Sequence, residues 1–398
     1  MRALVILGDD AASCLLAHIY RKIVRRGEVL LVARSKLLGY AHVLLPYYSA
    51  GLIDSPQLIS RPLLELADLV RVVAWDHVEA RRPGELVVEG KAYLSPRLVV
   101  SAWPSCEAVR GRAVLSLETP EDAETLKDLL SAGLSEVVVL GSAAALPLVD
   151  SLLRAGIKPI LVWEGAPFDS DMLSVLLEDL KARGVKLVDD LDKAPRSALH
   201  VSYAWGLAPQ YPQLGLTARR IRVDETGSVQ GLTSVWALGC ATEVIGSGGH
   251  IHPVESEEEV LLQAIACALS LAGAGSLAVT RYFTARLGDR VYASLGLTQR
   301  EAEQLGMRPA VTRIRGWGPW SNTLVKLVAS RGARLVGAQL VIGAEATGLL
   351  GLLYHAVRAR AGLHDLLCAL SPLNPLQPIL DDPLHHACLL YTSPSPRD

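Results

Sequence analysis

The chain has 398 residues, of which half are hydrophobic and a fifth charged, so two or three domains with well-formed cores are expected. A net charge of −2, with no basic block longer than Arg25-Arg26, argues against a nucleic-acid partner. The start lacks the zones of a signal peptide, and six scattered cysteines without C-x-x-C spacing fit a reducing cytoplasm.

The predicted elements open with a β-α-β unit. An apolar strand at Leu4–Leu7 is followed by an amphipathic helix to Arg26 and a strand at Val29–Val32. Two parallel strands need such a crossover helix. Thr119-Pro120 then predicts the N-cap and first position of a further helix.

The same pattern returns in the middle of the chain. Val137–Leu140 reads as a strand, a helix runs to Arg154, and Ile160–Trp163 reads as the next strand. Two such units in one chain predict two nucleotide-binding domains of the Rossmann type.

The last third has a different character. Leu261–Val279 carries no charge, but a Ser256…Glu259 capping box precedes it and Gly273 interrupts it, which predicts a buried helix too short for a bilayer. Beyond Gly275, Leu324–Val328 and Leu335–Val341 flank a Ser-Arg-Gly turn and predict a hairpin in a third, α+β domain.

Six segments carry a family resemblance. They are LPYYSAGLI (45–53), TPEDAETL (119–126), SVWALGCATEV (234–244), SLGLTQREAEQLG (294–306), KLVASRGARLVGAQLVI (326–342) and HDLLCAL (364–370). In this order, they resemble landmarks of the FAD-dependent pyridine nucleotide-disulfide oxidoreductases, in the branch of NADH oxidase and coenzyme A disulfide reductase. The resemblance spans nearly all of residues 1–387 and is strongest in the C-terminal part.

The resemblance implies an α/β fold with two Rossmann-like FAD/NAD(P)-binding domains, the second inserted in the first, and a C-terminal α+β dimerisation domain. The boundaries expected are 1–118 and 211–275 for the FAD-type domain, 119–210 for a shortened NAD-type domain and 276–387 for the dimerisation domain. Residues 388–398 (CLLYTSPSPRD) lack periodicity and resemble a translated sequencing-library adapter, so we interpret them as read-through.

At the first dinucleotide turn, the resemblance assigns FAD contacts to Gly8 and Ala11. A dinucleotide turn uses glycines to let the backbone approach pyrophosphate, yet Asp10 and Ser13 stand at the second and third glycine positions. A carboxylate there repels phosphates and can satisfy the helix N-terminus itself. Ala33 replaces the acid expected to bind the ribose.

Two distant parts of the expected flavin site also depart from the family pattern. Ser101-Ala102-Trp103 stands in place of Ala-Thr-Gly, and Gly239-Cys240 in place of the Gly-Asp pair that binds the ribityl chain. The resemblance still assigns Gly239 and Cys240 to cofactor binding. Four departures together predict that FAD binding is lost or strongly weakened.

The second turn reads Gly141-Ser142-Ala143-Ala144-Ala145-Leu146. Gly141 and Ser142 are the expected contacts to NAD(H), and Ala143 adds a methyl group where pyrophosphate must approach. Glu164 ends the next strand and is placed to bind an adenosine ribose, unless it is simply a solvated loop acid. We expect weak NAD(H) binding here.

No catalytic residue is predicted. The family's redox cysteine corresponds to Val43, which cannot form a thiolate, so disulfide reduction is expected to be absent. The family's late tyrosine is replaced by Leu370-Ser371-Pro372. His250 and His252, with Glu255 and Glu257, could hold a metal, but solvated loop histidines are commoner and no metal is predicted.

Three functions remain open from the sequence. The first is a degenerate homologue acting as a structural or regulatory partner, in a homodimer or a heterodimer with an intact homologue. The second is an active FAD-dependent NAD(P)H oxidoreductase without disulfide chemistry. The third is a nucleotide sensor that uses only the second domain. Each fits a cytoplasmic protein without a membrane span.

Overall fold

The computed structural model describes residues 3–57, 70–82, 85–94, 96–246, 249–316, 322–343, 347–367 and 383–392. The chain forms two compact units. The first comprises Met1–Glu164 and Gly184–Val279, and the second comprises Gly165–Arg183 and Thr280–Asp398. In the described ranges, no helix is both long enough and apolar enough to cross a membrane.

The strands, in chain order, are β1 (Leu4–Leu7), β2 (Val29–Ala33), β3 (Arg71–Ala74), β4 (Val78–Arg82), β5 (Glu85–Val88), β6 (Lys91–Leu94), β7 (Arg97–Ser101), β8 (Ala108–Val109), β9 (Arg112–Ala113), β10 (Leu115–Ser116), β11 (Val137–Gly141), β12 (Ile160–Trp163), β13 (Lys186–Val188), β14 (Leu199–Ser202), β15 (Ile221–Asp224), β16 (Val235–Leu238), β17 (Thr242–Ile245), β18 (Ile251–Pro253), β19 (Tyr282–Leu287), β20 (Arg290–Gly296), β21 (Ala310–Arg315), β22 (Leu324–Ala329) and β23 (Leu335–Gly343).

The α-helices are α1 (Ala11–Ile23), α2 (Leu45–Ser49), α3 (Pro120–Ser131), α4 (Leu146–Arg154), α5 (Ser170–Ala182), α6 (Glu257–Ala272), α7 (Gln299–Gln304), α8 (Gly348–Arg358), α9 (Leu363–Leu366) and α10 (Pro383–Thr392). Short 3-10 helices occur at His42–Leu44, Trp75–His77, Ala143–Ala145, Leu191–Lys193 and Pro212–Leu214.

Two parallel five-stranded sheets form the frame of the first unit. Their strand orders are β16-β7-β1-β2-β3 and β10-β14-β11-β12-β13. All four residues of β1 and all five of β11 are buried, as expected for central strands covered on both faces. The predicted β-α-β units are therefore confirmed, and each places a strand-to-helix turn at the carboxyl edge of its sheet.

The second unit contains an antiparallel five-stranded sheet in the order β19-β20-β23-β22-β21. β22 and β23 pair antiparallel, which confirms the predicted hairpin. Helix α5 belongs to this unit although the strands before and after it, β12 and β13, belong to the first. The α/β fold class with a C-terminal α+β part is thus the one expected from the sequence.

Two helices have the predicted caps, and the first helix is shorter than predicted. The helix after Thr119 has the expected cap, with a reciprocal capping box between Thr119 and Asp122. Helix α6 begins after its Ser256 cap and ends at Gly273 in the left-handed conformation, as predicted. The first helix, however, ends at Ile23 and not at Arg26, because Val24 is extended and the Arg21 guanidinium donates to the Val24 and Gly27 carbonyls.

A helix crosses the predicted junction at the chain end. Helix α10 continues from Pro383 past Ala387–Cys388 to Thr392, and Cys388 is buried. An apolar Cys-Leu-Leu run extends a helix without strain, whatever its origin. The Leu370-Ser371-Pro372 segment lies outside the described residues.

Candidate functional site

The first dinucleotide turn joins β1 to α1 and is closed by Asp10. This residue is the N-cap of α1, and its Oδ1 accepts a hydrogen bond from the Ser13 backbone N–H at 2.8 Å. The neighbouring Ala11 N–H donates to the Tyr40 carbonyl at 2.7 Å. Two of the amides that this helix N-terminus could offer to an anion, those of Ala11 and Ser13, are therefore already engaged.

The second oxygen of Asp10 holds two further donors. Its Oδ2 accepts from the Ser101 hydroxyl at 2.6 Å and from the Trp103 indole N–H at 3.2 Å. Asp10 itself is only 2% exposed. The carboxylate thus takes the position and the hydrogen-bonding role that a phosphate has at an open turn.

A stacked ring pair lies beside this carboxylate. The rings of His42 and Trp103 are 3.5 Å apart and nearly parallel, and His42 Nδ1 lies 3.9 Å from Asp10 Oδ2. Burial lowers the pKa of His42 to about 3 despite the nearby Asp10 charge. His42 is therefore neutral at physiological pH and serves as a packed aromatic group.

Asp9 closes the turn from the other side. Its Oδ2 accepts from the backbone N–H groups of Arg34 and Ser35, at 2.7 and 2.6 Å, and its Oδ1 from the Tyr40 hydroxyl. These amides follow directly after Ala33, where the family pattern has a ribose-binding acid. Burial raises the pKa of the Asp9 carboxyl, partly offset by these hydrogen bonds.

Little room is left between these groups. The cavity lined by Gly8, Asp10, His42 and Trp103, together with Arg34 and Tyr211, has a volume of about 50 Å³. Ligand pockets are typically about 300–1,000 Å³. A side chain at Gly8 would lie 2.4 Å from Ser13 Oγ, so this glycine now serves the close packing of Ser13 and Ser101. The residues present do not fit the phosphates of FAD.

The Gly239-Cys240 pair is part of the core of the same unit. A Cβ on Gly239 would lie 2.3 Å from the Ala102 carbonyl oxygen, which explains the glycine by backbone packing. Cys240 is 2% exposed, and its carbonyl accepts from Arg220 at 3.0 Å. Burial and the Glu257 charge hold the pKa of the Cys240 thiol well above its usual range, so it is not a thiolate.

Val43 occupies the expected redox position in the 3-10 helix His42–Leu44. Its backbone N–H donates to Glu257 Oε2 at 3.4 Å, while Glu257 Oε1 is buried and has no hydrogen-bond partner among the described residues. Burial, followed by the Asp10 charge, raises the pKa of Glu257 well above its usual range. Two buried acids therefore lie close to the expected redox position, Glu257 beside Val43 and Asp10 beside His42.

The second dinucleotide turn is likewise closed by side chains of the chain itself. Ser142 Oγ accepts from the Ala144 N–H at 3.2 Å and donates to Glu255 Oε1 at 2.7 Å. Gly141 is required because a Cβ there would lie 2.6 Å from Ala145 Cβ. An acid therefore stands next to the second helix N-terminus as well.

The two histidines make contacts with other side chains of the chain. His252 Nε2 lies 2.6 Å from Glu259 Oε1, in a buried contact between β18 and α6. The rings of His250 and His252 stack 5.9 Å apart. Within the described ranges, no three histidine, cysteine or acidic side chains are arranged to hold a metal ion.

Glu164 is the one predicted site residue that lies in open space. It lines a groove of about 820 Å³ in the first unit, together with Trp205, Arg219, Arg220 and Arg222. Its backbone N–H donates to the Gly141 carbonyl at 3.4 Å, which ties the groove to the second turn. This volume is in the range of ligand pockets.

The structure brings Gly8 and Ala11 together around Asp10, and Gly141 and Ser142 around the second turn. Sequence reasoning missed Asp9, His42 and the three groove arginines. The Asp9-Asp10 pair at a helix start was the available signal, because acidic residues there favour capping. His42 carried no such signal, since its partner Trp103 is distant in sequence.

No protein-family model and no curated protein sequence matches this chain. Solved structures do match. Reduced CoADR-RHD of Bacillus anthracis has a TM-score of 0.80 at 17% identity, covering 98% of this chain and 80% of that one. The water-forming NADH oxidase of Lactobacillus brevis, bound to NADH, has a TM-score of 0.78 at 16% identity and 98% coverage of both chains.

A pyridine nucleotide-disulfide family oxidoreductase of Enterococcus faecalis also matches, with a TM-score of 0.70 at 16% identity and 98% coverage of both chains. At such identities, the likeness shows the fold. The chain therefore has the fold of the pyridine nucleotide-disulfide oxidoreductases, as the sequence resemblance implied.

Proposed function

We propose that the chain is a non-redox homologue of these oxidoreductases that does not hold FAD and acts as a structural or regulatory partner. The observation that carries this proposal is the buried Asp10 carboxylate, which takes the hydrogen bonds of the first turn. The neighbours with the same fold include a water-forming NADH oxidase bound to NADH, which supports descent from a redox enzyme.

Electrostatics supports the absence of FAD. A phosphate within 4 Å of the Asp10 carboxylate would be repelled by roughly 4 kcal/mol in a protein-surface environment. Displacing the carboxylate would instead leave the donors of Ser13, Ser101 and Trp103 to be satisfied anew, at about 1–3 kcal/mol for each buried group left unpaired. Either route lowers affinity by several powers of ten.

Four of the described cysteines are poorly placed for thiol chemistry. Burial raises the pKa of Cys14, Cys106, Cys240 and Cys267, which disfavours a thiolate at each of them. Val43 stands at the redox position. The chain is therefore proposed to lack disulfide reductase activity.

The test is the flavin content of protein purified from cells grown with excess riboflavin, followed by FAD titration. We expect no stoichiometric flavin absorbance in the wild type. Asp10→Gly should recover more FAD binding than Ala33→Glu, because removing a charge repulsion exceeds adding one hydrogen bond. Stoichiometric FAD in the wild type would overturn the proposal and favour an active NAD(P)H oxidoreductase.

A second candidate is a nucleotide sensor that binds through the second dinucleotide fold. The observation that favours it is Glu164 in an open groove of about 820 Å³, in contrast to the filled first turn. It is compatible with a regulatory partner, because a sensor needs a ligand but no flavin.

A further inference from the structure

Three arginines converge on the groove that Glu164 lines. Arg219 and Arg220 precede β15, and Arg222 lies within it. The short segment Ala-Arg-Arg-Ile-Arg therefore contributes three positively charged side chains to the lining of the groove. Glu164 and Glu243 are the acidic residues of the same lining. Guanidinium groups bind phosphate oxygens bidentately, which makes this composition suited to a phosphorylated ligand.

The arginines differ in how far they are already engaged. Arg220 donates to the Cys240 carbonyl at 3.0 Å, which fixes it against the core. Arg222 Nε lies 3.6 Å from Glu243 Oε2 in a pair that is 57% and 26% exposed, so solvent screens it strongly. The exposed Arg219 guanidinium has no hydrogen bond or ion pair with any described residue.

The usual place for phosphate at a dinucleotide turn is closed by Ser142, whose hydroxyl bridges the Ala144 amide and Glu255. The groove offers a different arrangement, in which phosphate meets arginines of the β15 segment. Glu164 can accept hydrogen bonds from sugar hydroxyls in the same groove. The volume of about 820 Å³ accommodates a nucleotide.

We infer that the groove binds a nucleoside phosphate, with the phosphate on Arg219 and Arg222 and the sugar hydroxyls on Glu164. The inference rests on the sensor function proposed above and extends its site from Glu164 to the arginines of the β15 segment, and it does not depend on the flavin result. An FAD-free protein that fails to bind nucleotide would refute this site and the sensor candidate, while the proposal of a flavin-free partner would stand.

The experiment is isothermal titration calorimetry of the full chain with ADP. We expect one ADP per chain, with an affinity that falls as salt concentration rises. Arg219→Ala and Arg222→Ala should each weaken binding about tenfold, the loss of one charge-assisted hydrogen bond. Arg26→Ala, which removes an exposed arginine outside the groove, should leave the affinity unchanged.

The contribution of the sugar to binding is separated from that of the phosphate by the Glu164→Gln variant and by titration with pyrophosphate, which has no sugar. We expect Glu164→Gln to weaken ADP several-fold and leave pyrophosphate binding unaffected. Equal affinity for ADP and pyrophosphate in the wild type, with no effect of Glu164→Gln, would show a simple polyanion site and overturn the inference. So would ADP binding that is undetectable, or that survives both arginine changes in variants with unchanged circular dichroism.

Discussion

At the scale of single residues, adjacent carboxylates in one turn perform different tasks. Asp10 satisfies the helix N-terminus and its neighbours Ser101 and Trp103, whereas Asp9 joins the first turn to the end of β2. The sequence predicted the capping by Asp10, because an acid at a helix start favours it. It could not predict the link from Asp9, which needs the position of a strand 25 residues away.

The neutral His42 makes stability depend on pH. Its pKa is about 3 in the folded chain against an ordinary value of 6.5, so the unfolded chain binds a proton first as pH falls. The contribution of neutral His42 to the free energy of unfolding is complete above pH 6.5 and decreases below it, by about 2 kcal/mol at pH 5. We expect His42→Gln to reduce the loss of urea resistance between pH 7.5 and pH 5.

The control for this prediction is His77→Gln, which removes an exposed histidine with a side chain 60% accessible. That variant should keep the acid sensitivity of the wild type. If the wild type and His42→Gln lost urea resistance equally between pH 7.5 and pH 5, the acid sensitivity would not come from His42. The buried acids Asp9 and Glu257 have raised pKa values, so they favour the folded state as pH falls and act in the opposite direction.

At the scale of elements, hydrophobic periodicity was sufficient to predict where these strands begin and end. β1 and β12 have the predicted bounds, and β2, β11, β22 and β23 extend only one or two residues further. These strands are almost wholly buried, so their apolar runs are unambiguous. The groove arginines were not predicted, because a charged run in a sequence is usually a solvated face and only folding shows which residues it meets.

Helix α5 is fixed to the C-terminal sheet by a buried lysine. Lys326 Nζ lies 3.0 Å from Asp169 Oδ2 and 2.8 Å from Asp171 Oδ1, and Lys326 is only 3% exposed. Asp169 also accepts from the backbone N–H groups of Gln299 and Arg300. Burial opposes ionisation of Asp169, but Lys326 and these amides outweigh it and lower the pKa of the carboxyl.

Breaking this contact should destabilise the second unit. Lys326→Met leaves Asp169 charged and buried without a counter-ion, a change that typically costs about 3–5 kcal/mol. Arg313→Gln is the matched control, because Arg313 is 40% exposed and lies 3.5 Å from the same Asp171. It should cost less than about 1 kcal/mol. Equal urea midpoints for the two variants would exclude a buried ion pair at Lys326.

At the scale of the whole molecule, the resemblance predicts a dimer formed through residues 276–387. This part keeps the family pattern best, while both dinucleotide turns have changed. An obligate interface typically buries more than about 2,000 Å². Light scattering of the purified chain should give the mass of a dimer, alone or with a homologue recovered from its source. A monomer at micromolar concentration without such a partner would refute this.

The interpretation of residues 388–398 as read-through can be tested against genomic sequence. If residues from Cys388 are adapter read-through, raw sequencing reads should cease to match one locus at the Ala387–Cys388 junction. The helical continuation to Thr392 does not bear on the origin of these residues, because Cys, Leu and Tyr can extend an apolar helix end. Continuous genomic coverage to Asp398 would show that the tail is native.

The self-capped first turn has a consequence for the living cell. A flavoprotein gains stability from its cofactor by mass action, so its abundance follows the supply of the vitamin from which the cofactor is made. Here, Asp10 supplies from within the chain the hydrogen-bond acceptor that a phosphate would otherwise bring. If the chain holds no FAD, as proposed, its level should not change when a cell is starved of riboflavin, whereas the level of a flavoprotein in the same cell should fall.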